Sequence, residues 1–426
     1  MDRAYARDIK KNKDKDVLLK GWADTIRKLG GVNFIILRDC TGEVQLVAIK
    51  GEESFEKIKN LHREDVIEVI GKVIENEKAP NNVEVQIKKF KILNKAEPLP
   101  IEFSGKIETD LSKRLDYRYL DLRNKKNKMI FELKSNLINF ARNFFLKNEF
   151  IEVHTPKIVC QGAEGGSELF PILYYDKEGY LSQSPQFYKQ LMQACGFEKV
   201  FEIGPVYRAE KSHTSRHLSE FWGIDCEISF IDNYENVMKL IENMVCAILD
   251  DLKKSCSHII EKFVIEFPKY KLPFPRLTLE EVSKLIDNKG VDLSTEDEKK
   301  LGEIVKEKFK SDFVFVTKYP FNVRPFYTMK DKENPILTES FDLIFRGLEL
   351  ITGSQREHRY KILVEQAKEK NISLDSIKFY LEAFRYGMPP HGGFGLGVER
   401  FVMQLLNLNN VREAALFPRD VERLIP

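Results

Sequence analysis

The first hundred residues alternate apolar and polar positions in five short runs rich in β-branched side chains, which predicts five strands. A short helical segment, residues 54–61, follows the third run. Turn signals separate the runs, which occupy residues 17–22, 32–38, 44–49, 66–74 and 83–93. Five strands with one helix after the third is the element order of an OB-fold barrel, which typically binds single-stranded nucleic acid.

Three side chains on this predicted barrel are candidates for contact with a nucleic-acid base. Phe34 could stack on the base, while Gln45 and Glu84 could bind its polar edge. The alternative is ordinary: Phe34 is a core residue, and the other two are solvated strand residues.

A change in pattern beyond residue 97 predicts a linker, residues 98–124, in which Pro98, Pro100 and Gly105 interrupt regular structure. Helical periodicity then covers residues 127–148, and a strand over residues 150–156 ends at Pro156. This helix and strand are consistent with a dimer interface and equally with an ordinary packed layer.

A strand predicted over residues 200–210 and a returning strand over residues 217–230 enclose a polar loop. Arg208 and Arg216 lie at the two ends of this loop, an arrangement that suits a polyphosphate. The alternative is a hairpin with a solvated basic loop.

Residues 341–356 are predicted to form one strand that leads into a turn at Gly353 and Ser354. Alternation places Asp342 out of phase with Glu349, so the two carboxylates need not share a face. Glu349 and Thr352 offer oxygen ligands suited to a Mg²⁺ ion that bridges phosphates.

Four glycines in six positions, 392, 393, 395 and 397, precede Arg400 and an apolar helical run over residues 401–408. Glycines allow a backbone to approach a ligand or another backbone closely, and an arginine beside them supplies a fixed cation. The pattern suggests phosphate or nucleotide binding, and the alternative is a glycine-rich turn that leads into an amphipathic helix.

Composition narrows the class of protein. With 42% hydrophobic and 31% charged residues in 426, the chain is expected to be globular, water-soluble and divided into domains. A net charge of +2 does not indicate a basic surface for nucleic acid, so the prediction of nucleic-acid binding depends on motifs alone. No run is long enough for a membrane span, and the six scattered cysteines favour reduced cytoplasmic thiols over a structural metal.

Taken together, these segments resemble the class II aminoacyl-tRNA synthetases, specifically the aspartyl-tRNA synthetases of the archaeal and eukaryotic type. The resemblance covers essentially the whole chain, including the tail at residues 416–420. The three class motifs resemble residues 144–156, 200–230 and 392–408, in the family's order.

The resemblance implies an α+β fold with three parts: an OB-fold anticodon-binding domain (residues 1–97), a hinge (98–124) and a class II catalytic domain (125–426). The catalytic domain would have an antiparallel sheet flanked by helices. A homodimer with Pro156 at its interface is also implied.

The implied reaction joins L-aspartate to AMP at the expense of ATP, then transfers the aspartyl group to the 3′ end of tRNA-Asp. Because the attacking carboxylate is ionised at pH 7, the first step requires positioning and charge neutralisation rather than a base.

The resemblance assigns the nucleotide-binding roles. Arg208 would contact the α-phosphate and the substrate carboxylate, while Phe221 and Arg400 would sandwich adenine. Glu349 and Thr352, where the family usually has serine, would bind Mg²⁺. Further ATP contacts would come from Glu210, Arg216, His217, Leu218, Gly397, Val398 and Glu399.

For the amino acid, Lys189 and Arg356 would hold the β-carboxylate, and asparagine would leave these buried cations unpaired. The family's remaining aspartate contacts fall on Arg208, Thr352 and on three residues that orient the α-amino group and the loop over it, Glu164, Ser184 and Gln186. The alternative for Lys189 is a solvated helix lysine.

On the tRNA side, Phe34, Gln45 and Glu84 match the family's readers of the central anticodon uridine, which the aspartate and asparagine anticodons share. The segment Lys78-Ala-Pro80 resembles members that accept both tRNAs, whereas Asp24 stands where those members tend to have histidine. Charging of tRNA-Asn is therefore kept as a hypothesis.

Three other functions remain open at this stage. An asparaginyl-tRNA synthetase shares the scaffold but tends to have an apolar residue at position 189. An amidotransferase-like relative would lack the anticodon-binding domain. A catalytically inactive paralogue would only bind RNA, although Arg208, Glu349, Arg356 and Arg400 argue for an active enzyme.

Overall fold

The computed structural model describes residues 1–105, 107–162, 168–211, 214–263, 266–288 and 290–426. By its internal contacts the chain divides into two compact units, Met1–Glu102 and Phe103–Pro426. The functional boundaries placed after residues 97 and 124 stay a prediction. No helix in the described ranges combines the length and the apolar character that a bilayer span needs.

The first unit is a closed barrel in the order β1-β2-β3-β5-β4, which confirms the predicted OB-fold architecture. Inward and outward positions alternate along β2 and β4, and their apolar residues fill the barrel. Its elements are β1 (Asp16–Lys28), β2 (Val32–Arg38), β3 (Glu43–Ile49), α1 (Glu53–Lys57), β4 (Val66–Glu75) and β5 (Val83–Asn94).

Helices surround the sheets of the second unit. The buried side chains of α4 and α6 pack in one core cluster with those of the central strands. The helices are α2 (Leu111–Asp116), α3 (Arg118–Asp121), α4 (Lys125–Lys147), α5 (Gln186–Ala194), α6 (Tyr234–Ser255), α7 (Ser257–Phe263), α8 (Leu279–Ile286), α9 (Thr295–Phe309), α10 (Tyr360–Glu369), α11 (Lys378–Ala383) and α12 (Val398–Leu405).

The strands of this unit form two sheets within the described ranges. A small one has the order β7-β9-β8, and the large one has the order β12-β13-β14-β15-β16-β11-β10-β6. The strands are β6 (Ile151–Glu152), β7 (Ile158–Val159), β8 (Pro171–Tyr174), β9 (Lys177–Leu181), β10 (Lys199–Tyr207), β11 (Glu220–Ser229), β12 (Arg276–Thr278), β13 (Phe313–Thr317), β14 (Ser340–Phe345), β15 (Leu348–Gln355) and β16 (His391–Gly397).

The large sheet is antiparallel except for its two outermost pairs, β12 with β13 and β10 with β6. An antiparallel sheet flanked by helices was predicted for this part of the chain and is confirmed. The strand expected over residues 150–156 is wrong in length: only Ile151–Glu152 pairs with β10, and Pro156 lies exposed beyond it.

The single strand predicted over residues 341–356 is also wrong, because this segment forms the hairpin β14–β15. Its turn is at Arg346 and Gly347, which have φ angles of +50° and +74°. Two successive residues of positive φ are typical of a tight hairpin turn, and only one of them here is glycine. The expected turn at Gly353 and Ser354 lies instead inside β15.

The glycine-rich stretch forms a central strand, β16, between β15 and β11, rather than a loop. Gly393 faces Glu227 on β11, and a Cβ atom added to it would lie 2.1 Å from the carbonyl oxygen of Cys226 and 2.2 Å from Glu227 Oε2. Gly395 faces Asp225 in the same way, and a Cβ atom added to Gly395 would lie 3.3 Å from Asp225 Oδ1. The glycines therefore leave room for two carboxylates.

We expect Gly393→Ala to lower the free energy of unfolding by about 3 kcal/mol, because β16 and β11 must separate to admit the methyl group. Urea unfolding of the purified chain would measure the change. Gly179→Ala is the matched control, since the nearest atoms to its added Cβ lie at 3.4 Å or beyond. Equal losses in both variants would contradict this account of β16.

Candidate active site

A cavity of about 830 Å³ in the second unit brings together most of the predicted catalytic residues. Val398 is fully buried beside it, Pro156 lies away from it, and Glu164 falls outside the described residues. The predicted residues among those that line the cavity are Ser184, Gln186, Lys189, Arg208, Glu210, Arg216, His217, Leu218, Phe221, Glu349, Thr352, Arg356, Gly397, Glu399 and Arg400.

A β-bulge in the hairpin β14–β15 assembles the oxygen ligands. Asp342 lies opposite Thr352, but the register then shifts, so that Glu349 lies opposite Ile344. The bulge adds one residue between Glu349 and Thr352, and the Thr352 hydroxyl donates a hydrogen bond to Glu349 Oε1 at 3.1 Å. Strict alternation, which separated Asp342 from Glu349 in the sequence, does not hold across this bulge.

Glu349 is ionised in this setting. Burial alone would raise its pKa, but the Arg400 and Arg324 cations and the Thr352 hydroxyl outweigh burial, and the pKa is lowered. Asp342 is held by a bidentate ion pair with Arg324, at 2.6 and 3.0 Å. Neither residue was predicted as a site residue: strand alternation set Asp342 apart from Glu349, and Arg324 lies in no recognisable motif.

The oxygen set fits Mg²⁺, which takes one or two carboxylates and completes its shell with water and substrate phosphates. Glu349 and Thr352 supply a carboxylate and a hydroxyl, with Asp342 beside them. Within the described ranges no cluster of three or more His, Cys, Asp or Glu side chains could hold a metal by itself. A carboxylate and a hydroxyl, completed by water and phosphates, suit an ion that arrives with a nucleotide.

Arg208 follows β10 and stacks on the ring predicted to bind adenine. Its guanidinium carbon lies 5.5 Å from the Phe221 ring centroid, and its Nη1 lies 3.5 Å from Glu210 Oε1. Glu210 Oε2 is in turn 3.7 Å from His217 Nε2. Burial and the Arg400 charge lower the pKa of His217. These four residues, all within the second class motif (residues 200–230), therefore form one network that lines the cavity.

Arg400 lies in the first turn of α12, where its Nη1 contacts the Glu349 carbonyl at 3.2 Å and Glu349 Oε1 at 3.4 Å. The neighbouring Glu399 has a different position. Its carboxylate binds Lys134 Nζ at 2.6 Å and accepts from the Trp222 amide at 3.0 Å. Glu399 thus ties α12 to α4 and β11, and its ATP role stays a prediction.

Lys189 and Arg356, predicted to bind a carboxylate, lie together and are buried, with 2% and 5% of their surfaces exposed. Lys189 Nζ donates to Asp225 Oδ1 and to the Phe394 carbonyl, each at 3.0 Å, and lies 3.5 Å from Glu227. Arg356 Nε donates to Glu227 Oε1 at 2.8 Å. The alternative of a solvated Lys189 is wrong.

These contacts correct the charge argument made from sequence. The premise that the two cations require an external anion is wrong, because Asp225 and Glu227 already balance them. Burial opposes ionisation of Glu227, but Arg356 and Lys189 outweigh it and lower its pKa. A sequence signal existed: Ile-Asp-Cys-Glu, residues 224–227, places two acids two residues apart in an apolar strand.

Hydrogen-bonded side chains link α5, the helix that carries Lys189, to the start of β16. Gln186 Nε2 donates to Gln190 Oε1 at 2.9 Å, and Gln190 Nε2 lies 2.9 Å from Nε2 of the fully buried His391. His391 Nδ1 lies 2.8 Å from the Pro389 carbonyl, which makes Nδ1 the protonated nitrogen and Nε2 the acceptor. Burial lowers the pKa of His391 to about 4, so it is neutral at pH 7.

A further buried acid lies just behind the cavity wall. Glu298 on α9 accepts from Arg216 Nη1 at 2.7 Å and from the Glu349 amide at 3.2 Å. Burial and the Glu349 carboxylate raise the pKa of Glu298 to about 7. Glu298 was missed in the sequence, where it is one acid among several at the start of a helix.

In the first unit, the three predicted base-contacting residues come together on β2, β3 and β5. Phe34 is half-buried on the outward face, diagonal to Gln45, which lies opposite Ile36. Gln45 Nε2 donates to Glu84 Oε2 at 2.9 Å. Asn76 donates to the same oxygen at 2.8 Å and had not been predicted.

Comparisons with known proteins agree with this geometry. The family model described as tRNA synthetases class II (D, K and N) matches residues 110–421. The model described as OB-fold nucleic acid binding domain matches residues 17–93. The chain belongs to the class II tRNA synthetases of the D, K and N group, and it is an aminoacyl-tRNA synthetase with an anticodon-binding OB fold.

Relatives cover nearly the whole chain. An aspartate–tRNA(Asp) ligase of Pyrococcus furiosus is 46% identical over 97% of this chain and 96% of its own length. An aspartate–tRNA(Asp/Asn) ligase of Methanopyrus kandleri is 46% identical over 99% of each. Among solved structures, the asparaginyl-tRNA synthetase of Pyrococcus horikoshii complexed with asparaginyl-adenylate has a TM-score of 0.93 at 36% identity, covering 100% of both chains.

The buried His391 predicts a pH dependence of stability. Its pKa in the folded chain is about 4, against about 6.5 in the unfolded chain, so the unfolded state binds more protons between these values. Stability therefore falls as the pH falls through this window, by about 2 kcal/mol from about pH 6.5 to 4.5. Urea unfolding of the wild type and of His391→Gln would show a loss over this pH range that is larger in the wild type by about 2 kcal/mol.

The control is His154→Gln, which removes a histidine with 79% of its side chain exposed. This variant should keep the full pH dependence of the wild type. If His391→Gln keeps it as well, the low pKa of His391 is refuted.

Proposed function

We propose that this chain is an aspartate–tRNA ligase, which uses ATP to convert L-aspartate to aspartyl-AMP and transfers the aspartyl group to tRNA-Asp. The observation that carries the choice of amino acid is the pair Lys189 and Arg356 on the wall of the nucleotide-sized cavity. The aspartate–tRNA ligases that align over nearly the full length support the same choice.

Selection of aspartate rests on hydrogen-bond donors rather than on unpaired charge. Lysine and arginine side chains have no acceptor atoms. The contacts with Glu227 and Ser354 leave two of the five N–H groups of Arg356 for a ligand, and a ligand carboxylate would share the Lys189 ammonium with Asp225, Phe394 and Glu227. A β-carboxylate accepts from both cations. A carboxamide would turn its NH₂ group toward donors, and a site built in this way rejects such an analogue strongly.

The first step needs charge neutralisation at the α-phosphorus. The α-carboxylate of aspartate attacks this phosphorus, and pyrophosphate leaves. Arg208 neutralises the developing negative charge, while Arg400 and Phe221 hold the nucleotide. Mg²⁺, proposed at Glu349 and Thr352, would supply further charge neutralisation for the phosphates. Ser184 and Gln186 orient the amino group, as does Glu164 in the proposed assignment.

The OB unit is proposed to hold the anticodon. Phe34 stacks the central base, while Gln45 and Glu84 bind its polar edge. The choice between tRNA-Asp alone and both tRNAs stays open, because relatives of equal identity differ in this respect. At the position where members that accept both tRNAs tend to have histidine, Asp24 forms an ion pair with Arg38 at 3.3 Å. Arg38 also forms an ion pair with Glu64 at 2.6 Å.

A homodimer is part of the proposal. Strand β6 lies at the outer edge of the large sheet, and near it Leu146, Ile151 and Pro156 are exposed. An apolar sheet edge of this kind is suited to pairing with a second copy.

A cytoplasmic location is proposed from the six cysteines, all of which are free thiols.

An asparaginyl-tRNA synthetase is the second candidate, because a solved structure of that kind has the same fold over the full chain. Lys189 argues against it on the physical ground given above. The OB barrel argues against an amidotransferase-like relative without an anticodon domain. The network around Arg208, Glu349, Arg356 and Arg400 argues against an inactive paralogue.

ATP–pyrophosphate exchange with aspartate and with asparagine tests the proposal. We expect exchange with aspartate only, and a loss of at least about 100-fold in kcat/KM with Lys189→Met, since about 3 kcal/mol of charged hydrogen bonding is removed. Lys361→Met, an exposed helix lysine, is the control. Exchange only with asparagine would overturn the proposal.

Lys189→Met also leaves Asp225 and Glu227 undercompensated, so unfolding must be measured in parallel. The kinetic comparison then uses only the folded fraction of each variant.

Aminoacylation of separate tRNA-Asp and tRNA-Asn transcripts tests the tRNA side. We expect charging of tRNA-Asp, and a KM for this tRNA about 5- to 150-fold higher in Phe34→Ala, because base stacking contributes about 1–3 kcal/mol. Amino-acid activation without tRNA should be unchanged. An unaltered KM for tRNA-Asp contradicts the stacking role, and absence of tRNA-Asn charging ends the hypothesis of relaxed tRNA choice.

A further inference from the structure

Glu298 is a buried acid that the proposed reaction does not use, although it contacts two residues assigned to ATP. It lies in the first turn of α9 with 5% of its surface exposed. Its Oε2 accepts from Arg216 Nη1 at 2.7 Å and from the Glu349 amide at 3.2 Å. One carboxylate oxygen therefore links Arg216, in the connection between β10 and β11, to strand β15.

Two glycines hold α9 against the hairpin turn at this point. A Cβ atom added to Gly302 would lie 2.5 Å from the Gly347 nitrogen, and one added to Gly347 would lie 2.8 Å from the Lys299 Cα. The helix backbone thus contacts the turn directly. Because Glu298 is four residues before Gly302, it lies on the same face of the helix. Its position beside Glu349 is fixed by backbone packing.

The carboxylate lies behind the cavity wall. Arg216 and Glu349 both line the cavity, whereas Glu298 is not among its lining residues. A guanidinium has five N–H donors. In the described part of the chain, the side-chain contact of Arg216 with Glu298 engages Nη1. Glu298 can therefore hold Arg216 from the protein side while other donors face a ligand.

We propose that Glu298 is a positioning residue for the ATP polyphosphate, which acts by fixing the guanidinium of Arg216 beside the Glu349 strand. The inference rests on the proposed function, because it takes the cavity as the ATP site. An arginine that is already held in its binding orientation loses less side-chain freedom when a phosphate arrives. Glu298 thereby increases affinity for ATP without touching it.

The rival arrangement is competition, in which Glu298 occupies the guanidinium face that the phosphates need. The two arrangements predict opposite changes in the KM for ATP when Glu298 is replaced. Removing a positioning residue raises the KM for ATP, whereas removing a competitor lowers it. The position of Glu298 outside the cavity lining favours positioning.

The test compares Glu298→Gln with the wild type in ATP–pyrophosphate exchange at about pH 8, above the raised pKa of Glu298. Glutamine keeps the size and one acceptor oxygen but removes the ionic contact with Arg216. We expect the KM for ATP to rise about three- to tenfold, with the KM for aspartate within about twofold of wild type. Glu296→Gln, an exposed acid in the same helix turn, is the matched control.

A double-mutant cycle with Arg216→Ala tests whether Glu298 acts through that arginine. We expect no further rise in the KM for ATP when Glu298→Gln is added to Arg216→Ala. A general loss of structure would instead raise both KM values and lower the unfolding midpoint. If Glu298→Gln is too unstable to assay, Glu298→Asp, which retains the charge but shortens the reach, is expected to raise the KM for ATP as well.

Three results overturn the inference: an unchanged or lowered KM for ATP, parallel rises in the KM values for ATP and aspartate, or independent effects of the two substitutions. Failure of the proposed function is distinguishable from these, because the wild type would then show no exchange with aspartate. If it exchanged with asparagine instead, the same variant comparison would be made with that amino acid.

Discussion

The active site depends on the close approach of β16 to its neighbours. Gly393 lies opposite Glu227 on one side and Ser354 on the other, and Gly395 lies between Asp225 and Thr352. Without side chains on these two positions, β11 and β15 can direct polar groups into the middle of the sheet. Lys189 and Arg356 reach the same place and balance the acids, since buried charges of one sign would not be tolerated there.

The nucleotide side of the cavity follows from a second backbone feature. The bulge in β15 turns Glu349 onto the face that carries Thr352, and the tight turn at Gly347 lets α9 pack beside it. Arg400 and Arg324 then lower the pKa of the Glu349 carboxyl group. In the proposed function, positive groups on this wall have two roles, since they stabilise the acids proposed to bind Mg²⁺ and would also face the phosphates of ATP.

The neutral ion cluster changes how selectivity is understood. A pocket that is charge-balanced without a ligand does not depend on the substrate for its stability, so it can remain folded while empty. In the proposed function, its discrimination between aspartate and asparagine arises from the direction of its N–H groups. The neutral His391 supports the same pocket through Gln190 and Gln186, which connects the β16 strand to the helix that carries Lys189.

The sequence by itself determined the OB barrel, the helices and strands around the class II motifs, and a set of site residues most of which line the cavity, because these depend on local periodicity and on short motifs. It did not determine the hairpin at Arg346 and Gly347, since continuous apolar alternation hides a turn. Only the tertiary structure revealed Asp225 and Glu227 as partners of Lys189 and Arg356, Asp342 beside Glu349, and Glu298 behind Arg216. Strand register, a bulge and helix packing bring those residues together, and these arise from contacts between segments far apart in the chain.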